Sequence, residues 1–171
     1  MPSPISAEIW DAVRSDDDAA FVALWDNEDC CFSVDWREED EYIPRYCESV
    51  LRTGRLTSEW VGDDLFVVFR TKRVRVPLTE SAADRHITLL ALNEALAPEF
   101  EVRMLYSSVG SDTGVFAPLS SDGWRALERE AGEVVSRRFH KLAAHPNTFT
   151  ELVKVPTKAR SRPWWRFWAR G

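Results

Sequence analysis

Asp84, Arg85 and His86 are consecutive at the predicted start of an apolar helix, and their residue types could support chemistry there. A histidine close to a carboxylate can transfer a proton near neutral pH, and a helix N-terminus with an arginine can bind an anion. Asp112, in the loop GSDTG, is a candidate fourth group of such a cleft. A small enzyme would need these groups within hydrogen-bond distance of one another. The alternative is structural, with a helix cap, a solvated arginine and a packed histidine.

Carboxylates and aromatic rings are interspersed in the first third of the chain, which indicates a surface for a basic protein. Residues 1–64 contain 17 acidic and 5 basic residues, whereas residues 65–157 contain 11 and 12. Neighbouring carboxylates on one helical turn point in different directions, so they favour a solvated face or a protein contact over a metal site. Aromatic residues are enriched at interface hot spots, and complementary charge accelerates association. The predicted contact residues are Asp16, Asp17, Asp18, Trp36, Glu38, Glu39, Asp40 and Glu41.

The chain ends in a basic, aromatic tail over residues 158–171, with 5 basic residues and no acidic one. This composition suits an anionic membrane surface, a nucleic-acid strand, or the acidic part of the same protein. A tail this short would bind a membrane weakly, so docking on the domain or a contact between copies is favoured. Because the whole chain has a net charge of −6, nucleic acid is not an expected partner. The tail residues of interest are Trp164, Trp165, Arg166, Phe167 and Trp168.

The cysteine pattern and the distribution of apolar residues predict a cytoplasmic protein without a metal or cofactor. Cys30, Cys31 and Cys47 are an odd number of thiols, and no Cys-x-x-Cys spacing is present. His140 and His145 lie five residues apart, but the sequence offers no further metal ligands beside them. The start of the chain lacks the features of a signal peptide, and no stretch approaches 18 apolar residues. Free thiols are typical of a reducing compartment.

The order of predicted elements is typical of an α+β fold. An acidic, helical N-terminal lobe is predicted over residues 1–64, with one helix that either begins near Pro44 or bends there. Strands are predicted in LTSEWVG, LFVVF and RVRVPL, and later in FEVRMLY and TGVFAPL. SAADRHITLLALNEALAP and SSDGWRALEREAGEVVSRRFHKLAAHP predict two longer helices, the second with a weak point at Gly132. We therefore expect one α+β domain over residues 1–157, mainly an antiparallel sheet of about five strands with helices packed largely on one face.

The stretch VPLTESAADRHITLLALNEALAPEFEVRMLYSSVGSDTGVFAPLSSDGWRALE resembles small bacterial immunity proteins, which are encoded beside secreted antibacterial toxins. The similar features are an apolar strand pair, the DRHITLLALNEAL helix, and the GSDT hairpin before a helix that contains WRALE, over about residues 60–145. The resemblance implies a non-enzymatic inhibitor that covers a cognate toxin, for example a nuclease or deaminase, in the cytoplasm of the producer. It implies no fixed functional residues, because the contact surfaces of such proteins vary. The leading hypothesis is therefore a protein-binding inhibitor, ahead of the small enzyme and of a peripheral membrane or scaffold protein that uses the tail.

Overall fold

The computed structural model describes residues 7–157, in which helices and strands follow one another in short runs. All the strand pairs in this range are antiparallel, which confirms the predicted α+β class. The α-helices are α1 (Ala7–Ser15), α2 (Asp18–Ala23), α3 (Ile43–Leu51), α4 (Asp84–Leu96) and α5 (Ser121–Arg138). The strands are β1 (Phe32–Asp35), β2 (Leu56–Val61), β3 (Asp64–Phe69), β4 (Lys72–Val76), β5 (Phe100–Leu105), β6 (Thr113–Ser120) and β7 (Phe139–Lys141).

The three-stranded sheet forms from the predicted strands, in the order β2-β3-β4. Successive side chains of a strand point to opposite faces, and Leu65, Val67 and Phe69 therefore share the inner face of β3. These three residues are at most 3% exposed. Helix α4 covers this face with buried leucines such as Leu89, which explains why its sequence offers little polar surface.

The four-stranded sheet has the order β1-β6-β5-β7, and its two edge strands are absent from the sequence prediction. β1 lies in the segment predicted to be a helical lobe, and it is defined by pairs such as Phe32 with Phe116. β7 lies in the stretch predicted as the end of the last helix, which in fact ends at Arg138. Both strands are too short to show a clear period in the sequence, so their pairing with β6 and β5 decides their conformation.

Helices cover both faces of the four-stranded sheet, which differs from the predicted single sheet of about five strands with helices largely on one face. In β6, Val115 and Ala117 pack in a core with α1, α2 and α5, which we call the second core. Phe116 packs in the other core, with α3, α4 and the three-stranded sheet. Because these three residues of β6 are at most 1% exposed, the strand needs cover on both sides. The domain therefore has two cores, one on each face of this sheet.

Backbone geometry decides two points that the sequence left open, the start of α3 and the bend in α5. Helix α3 begins at Ile43 with Pro44 in its first turn, where a missing N–H has no cost, so the alternative of a kinked helix is wrong. Helix α5 leaves helical geometry at Ala131, with φ −145° and ψ 48°, next to the predicted weak point at Gly132. Beyond this bend, the end of α5 contacts the connection between α1 and α2.

Candidate protein-binding surface

The segment between β1 and α3, residues 36–42, holds most of the predicted contact residues and has a defined conformation. Trp36 donates a backbone hydrogen bond of 3.1 Å to the carbonyl of Asp112, which extends the pairing of β1 with β6. A 3-10 helix over Asp40–Tyr42 then leads directly into α3. The segment is therefore held by a strand at one end and by a helix at the other.

Asp40, predicted to contact a partner, is instead buried and connects the segment to α4. It is 8% exposed, and its carboxylate forms an ion pair with Arg85 at 2.5 and 3.2 Å. The hydroxyl of the fully buried Thr88 donates to the same carboxylate at 2.7 Å. Arg85 also donates to the Trp36 carbonyl at 3.3 Å. The carboxylate of Asp40 thus positions the segment and is not available at the surface.

Three aromatic rings remain exposed around this anchored segment. Trp36 is 42% exposed, Tyr42 is 37% exposed, and Trp60, near the end of β2, is 48% exposed. The Trp60 indole N–H donates to the Glu41 carboxylate, which joins the segment to the edge of the three-stranded sheet. Glu39 is also exposed. We call Trp36, Glu39, Glu41, Tyr42 and Trp60 the aromatic-acidic surface.

Trp60 is the residue of this surface whose role the sequence did not indicate, whereas the segment at residues 36–42 was predicted. The position of Trp60 two residues before the Gly62 turn is a signal of exposure, because strand ends project beyond the helices that cover a sheet. Glu38, which was predicted as a contact, is part-buried and hydrogen-bonded to Tyr46. Burial, together with this carboxylate, raises the pKa of Tyr46.

The other predicted acidic residues, Asp16, Asp17 and Asp18, lie between the end of α1 and the first residue of α2, beside the second core. Asp16 forms ion pairs with Arg137 and Arg138 at 2.8 and 2.9 Å, and its side chain is 17% exposed. The side chain of Asp18, which also contacts Arg138, is 88% exposed. Asp17 is exposed as well. The predicted contact residues therefore do not form one surface, because residues 16–18 and residues 36–41 pack beside different cores.

Replacing Asp16 with asparagine is expected to lower the free energy of unfolding by about 1–2 kcal/mol, between the values for exposed and buried ion pairs. Asp16 has a φ of +50°, and asparagine tolerates this left-handed conformation, so the variant isolates the effect of the charge. Urea unfolding measures the change. The matched control is Asp17→Asn, for which we expect a change below about 0.5 kcal/mol. Equal stability of the two variants would contradict a structural role of the Asp16 ion pairs.

The consecutive residues Asp84, Arg85 and His86 point to three different partners. Asp84 is 2% exposed and accepts hydrogen bonds from the N–H and hydroxyl of Thr79, at 2.9 and 2.6 Å, and from the N–H of Ser81 at 3.2 Å. Burial acts to raise its pKa, but these hydrogen bonds outweigh burial and lower the pKa below the usual value for aspartate. Asp84 therefore caps the loop before α4, in keeping with the Ser-x-x-Asp spacing.

His86 joins α4 to residues 143–153, which we call the C-terminal strap. It is 1% exposed, with its Nε2 at 2.7 Å from the Ala143 carbonyl and its Nδ1 at 3.0 Å from the Thr148 hydroxyl. The Thr148 N–H also lies 3.3 Å from Nδ1. A carbonyl at Nε2 and an N–H donor at Nδ1 are satisfied by the neutral ring protonated on Nε2. Burial favours the same state, because it lowers the pKa of His86.

Asp112, the fourth residue of the predicted cleft, lies in the exposed loop before β6. Among the described residues, no hydrogen bond or ion pair joins any two of the side chains of Asp84, Arg85, His86 and Asp112. The geometry therefore brings together no acid–base pair from these four groups. Within residues 7–157, no group of three or more His, Cys, Asp or Glu side chains is arranged to bind a metal ion. None of the helices in that range has the length and hydropathy of a membrane span.

The five tail residues singled out in the sequence lie outside the described range, which ends at residue 157. Docking of the tail on the domain or on a second copy, and its weaker binding to a membrane, are predictions from its composition alone. The residues concerned are Trp164, Trp165, Arg166, Phe167 and Trp168.

The aromatic-acidic surface lies beside one core, and the Asp16–Arg138 ion pairs lie beside the other. No protein-family model, curated protein or solved structure matches the chain.

Proposed function

We propose that the protein is a non-enzymatic inhibitor that binds a cognate bacterial toxin in the cytoplasm of the producing cell, as an immunity protein does. Its docking face would be the aromatic-acidic surface. The observation that carries the proposal is the exposure of the Trp36, Tyr42 and Trp60 rings on and beside the segment at residues 36–42, where the Trp60 indole N–H donates to the Glu41 carboxylate. Exposed apolar groups that cluster within a polar surround are typical of protein-binding sites.

The aromatic-acidic surface combines the two contributions that a protein complex needs. Large rings supply most of the binding free energy when a partner removes them from water. Carboxylates attract a basic partner and increase its rate of association. The net charge of the whole chain, −6, extends this attraction beyond the direct contacts. This chemistry supports a toxin with a basic surface as the partner.

The rigidity of the segment at residues 36–42 further supports a docking role. The ion pair between Asp40 and Arg85 and the backbone hydrogen bond from Trp36 to Asp112 fix this segment before any partner arrives. A surface that is already ordered loses little conformational entropy on binding, so more of the contact energy contributes to affinity.

Co-expression in bacteria tests the proposed function. The toxic domain encoded by the neighbouring gene is expressed alone and together with this protein, and we expect the protein to restore growth and to co-purify with that domain. Continued killing at equal expression, with no complex recovered, would overturn the proposal. A neighbouring gene whose product is harmless to the cell would also contradict it.

Replacing Trp60 or Trp36 with alanine is expected to weaken the complex roughly 10-fold or more, the usual effect of truncating an interface tryptophan. Isothermal titration calorimetry with the purified toxin domain measures the change. Val22→Ala is the control, because Val22 is 51% exposed but lies on α2, at the second core. Unchanged affinity in both tryptophan variants, or an equal loss in Val22→Ala, would show that the partner binds elsewhere.

A further inference from the structure

A groove of about 360 Å³ runs between the loop before β6 and the C-terminal strap, and Trp36 of the aromatic-acidic surface forms part of its wall. The floor is apolar, since Met104 and Val153 line it and are at most 5% exposed. The strap contributes Leu152, which is 84% exposed and therefore offers an apolar side chain to anything that enters. Clefts of this volume are within the range that holds small ligands or single side chains.

Both walls of the groove are held in place by the protein itself. On the strap, the Asn147 amide donates to the Ala83 carbonyl at 3.1 Å, and His86 binds the strap through both ring nitrogens. On the other wall, the backbone hydrogen bond from Trp36 to Asp112 joins the segment after β1 to the loop before β6. The groove is therefore formed before any ligand binds, which reduces the cost of binding.

The charged residues that line the groove are acidic, and the Arg37 guanidinium lies 4.8 Å from the centre of the Trp36 ring. Asp112 and Glu151 line it, and none of the described residues in its lining is a lysine or arginine. The Asp112 carboxylate makes no hydrogen bond or ion pair with the described part of the chain. The Glu151 carboxylate accepts a hydrogen bond from the Asn147 N–H and lies 3.1 Å from His145 Nδ1. The groove thus offers an apolar floor together with a carboxylate that can accept a cation.

We propose that this groove binds one lysine or arginine side chain of the protein partner. The alkyl stem lies against Trp36 and Leu152, and the cation reaches the Asp112 carboxylate. Long basic side chains have this combination of an apolar stem and a charged end, whereas an apolar side chain leaves the carboxylate without a partner and an acidic one is repelled. The inference rests on the proposed function, because Trp36 belongs both to the docking face and to the groove, so one partner covers both.

Titration of the ¹⁵N-labelled full-length protein with short peptides tests this inference without the toxin. The probes are the acetylated, amidated tripeptides Ala-Lys-Ala, Ala-Arg-Ala, Ala-norleucine-Ala and Ala-Glu-Ala. We expect saturable shifts of the amides of residues 110–114 and of Leu152 with the two basic peptides. The norleucine peptide has a similar stem without the charge, and we expect it to bind about threefold more weakly. Equal binding of the norleucine peptide, or shifts from the basic peptides that miss the groove, would overturn the inference.

Variants of two exposed carboxylates provide the matched comparison. Asp112→Asn is expected to weaken binding of the lysine peptide about threefold, whereas Asp17→Asn, at the other core, is expected to leave it unchanged. Equal effects of the two variants would show attraction to the overall negative charge and would contradict a site. If the toxin complex forms but the lysine peptide does not enter the groove, this inference is wrong and the proposed function remains. If the peptide binds selectively but no toxin is neutralised, the proposed function is the one that is wrong.

Discussion

Replacing Asp40 with alanine is expected to lower the free energy of unfolding by about 3 kcal/mol, the lower end of the range for breaking a buried ion pair. The Asp40 side chain is 8% exposed and that of Arg85 is 17% exposed, so the arginine that remains would be largely buried without its counter-ion. The hydroxyl of Thr88, which is fully buried, would lose its acceptor as well. The variant therefore loses the contact that holds residues 36–42 against α4.

Urea unfolding of three variants separates the contributions at this position. Asp40→Asn keeps an oxygen that can accept from Thr88, and we therefore expect it to be less destabilising than Asp40→Ala. Glu39→Ala is the matched control, because Glu39 is exposed, and a change below about 0.5 kcal/mol is expected. If Asp40→Ala is as stable as Glu39→Ala, the ion pair with Arg85 does not hold the segment.

Asp40 illustrates why the sequence could not separate structural carboxylates from surface ones. In the sequence it is one of four consecutive acidic residues, 38–41, and nothing in this run distinguishes it. The spacing of Arg85 and Thr88 places both on one face of α4, which the sequence does indicate. Their partner lies 45 and 48 residues away along the chain, and only tertiary packing brings it to that face.

The fold was predictable where its signals are local. The strands β2, β3 and β4 could be predicted because apolar alternation and tight turns lie within a few residues of each other. The edge strands β1 and β7 could not, since 4 and 3 residues carry no reliable period. β1 also separates the two groups of N-terminal acidic residues, since residues 16–18 precede it and residues 36–42 follow it, and composition alone cannot show this division.

The sequence indicated the residue types of the candidate surface but not which residues form it. Acidic residues among aromatic ones indicated the segment around Trp36, whose ring the structure leaves 42% exposed. The contribution of Trp60 comes from a different strand, and its contact with Glu41 depends on how the three-stranded sheet meets that segment. The groove beside Trp36 likewise needs the C-terminal strap, whose position is set by His86 and Asn147 rather than by any periodic pattern.

Acidification is expected to destabilise the protein, because His86 is buried as a neutral ring in the folded state. Burial lowers the pKa of His86 in the folded state and outweighs the Ala143 carbonyl and Glu151, which act to raise it, whereas His145 lowers it further. The unfolded chain, with a histidine pKa near 6.5, then binds more protons than the folded one as the pH falls. This contribution to stability is fully present above about pH 6.5 and is lost as the pH falls through the lower pKa of the folded state. Burial also lowers the pKa of His140, which adds to the same trend.

His86→Ala is expected to lower the free energy of unfolding at pH 7.5 by about 3 kcal/mol, because it leaves a cavity and removes the partners of the Ala143 carbonyl and the Thr148 N–H. The same variant should show a weaker loss of stability between pH 7.5 and 5 than the wild type, since the titrating group is gone. Urea unfolding at several pH values measures both effects. Asp17→Asn is the control, because Asp17 is exposed and lies between α1 and α2, away from the strap, and its pH dependence should follow the wild type closely. A parallel pH dependence of His86→Ala and the wild type would show that the neutral state of His86 does not govern acid stability, and that the strap is held by other contacts.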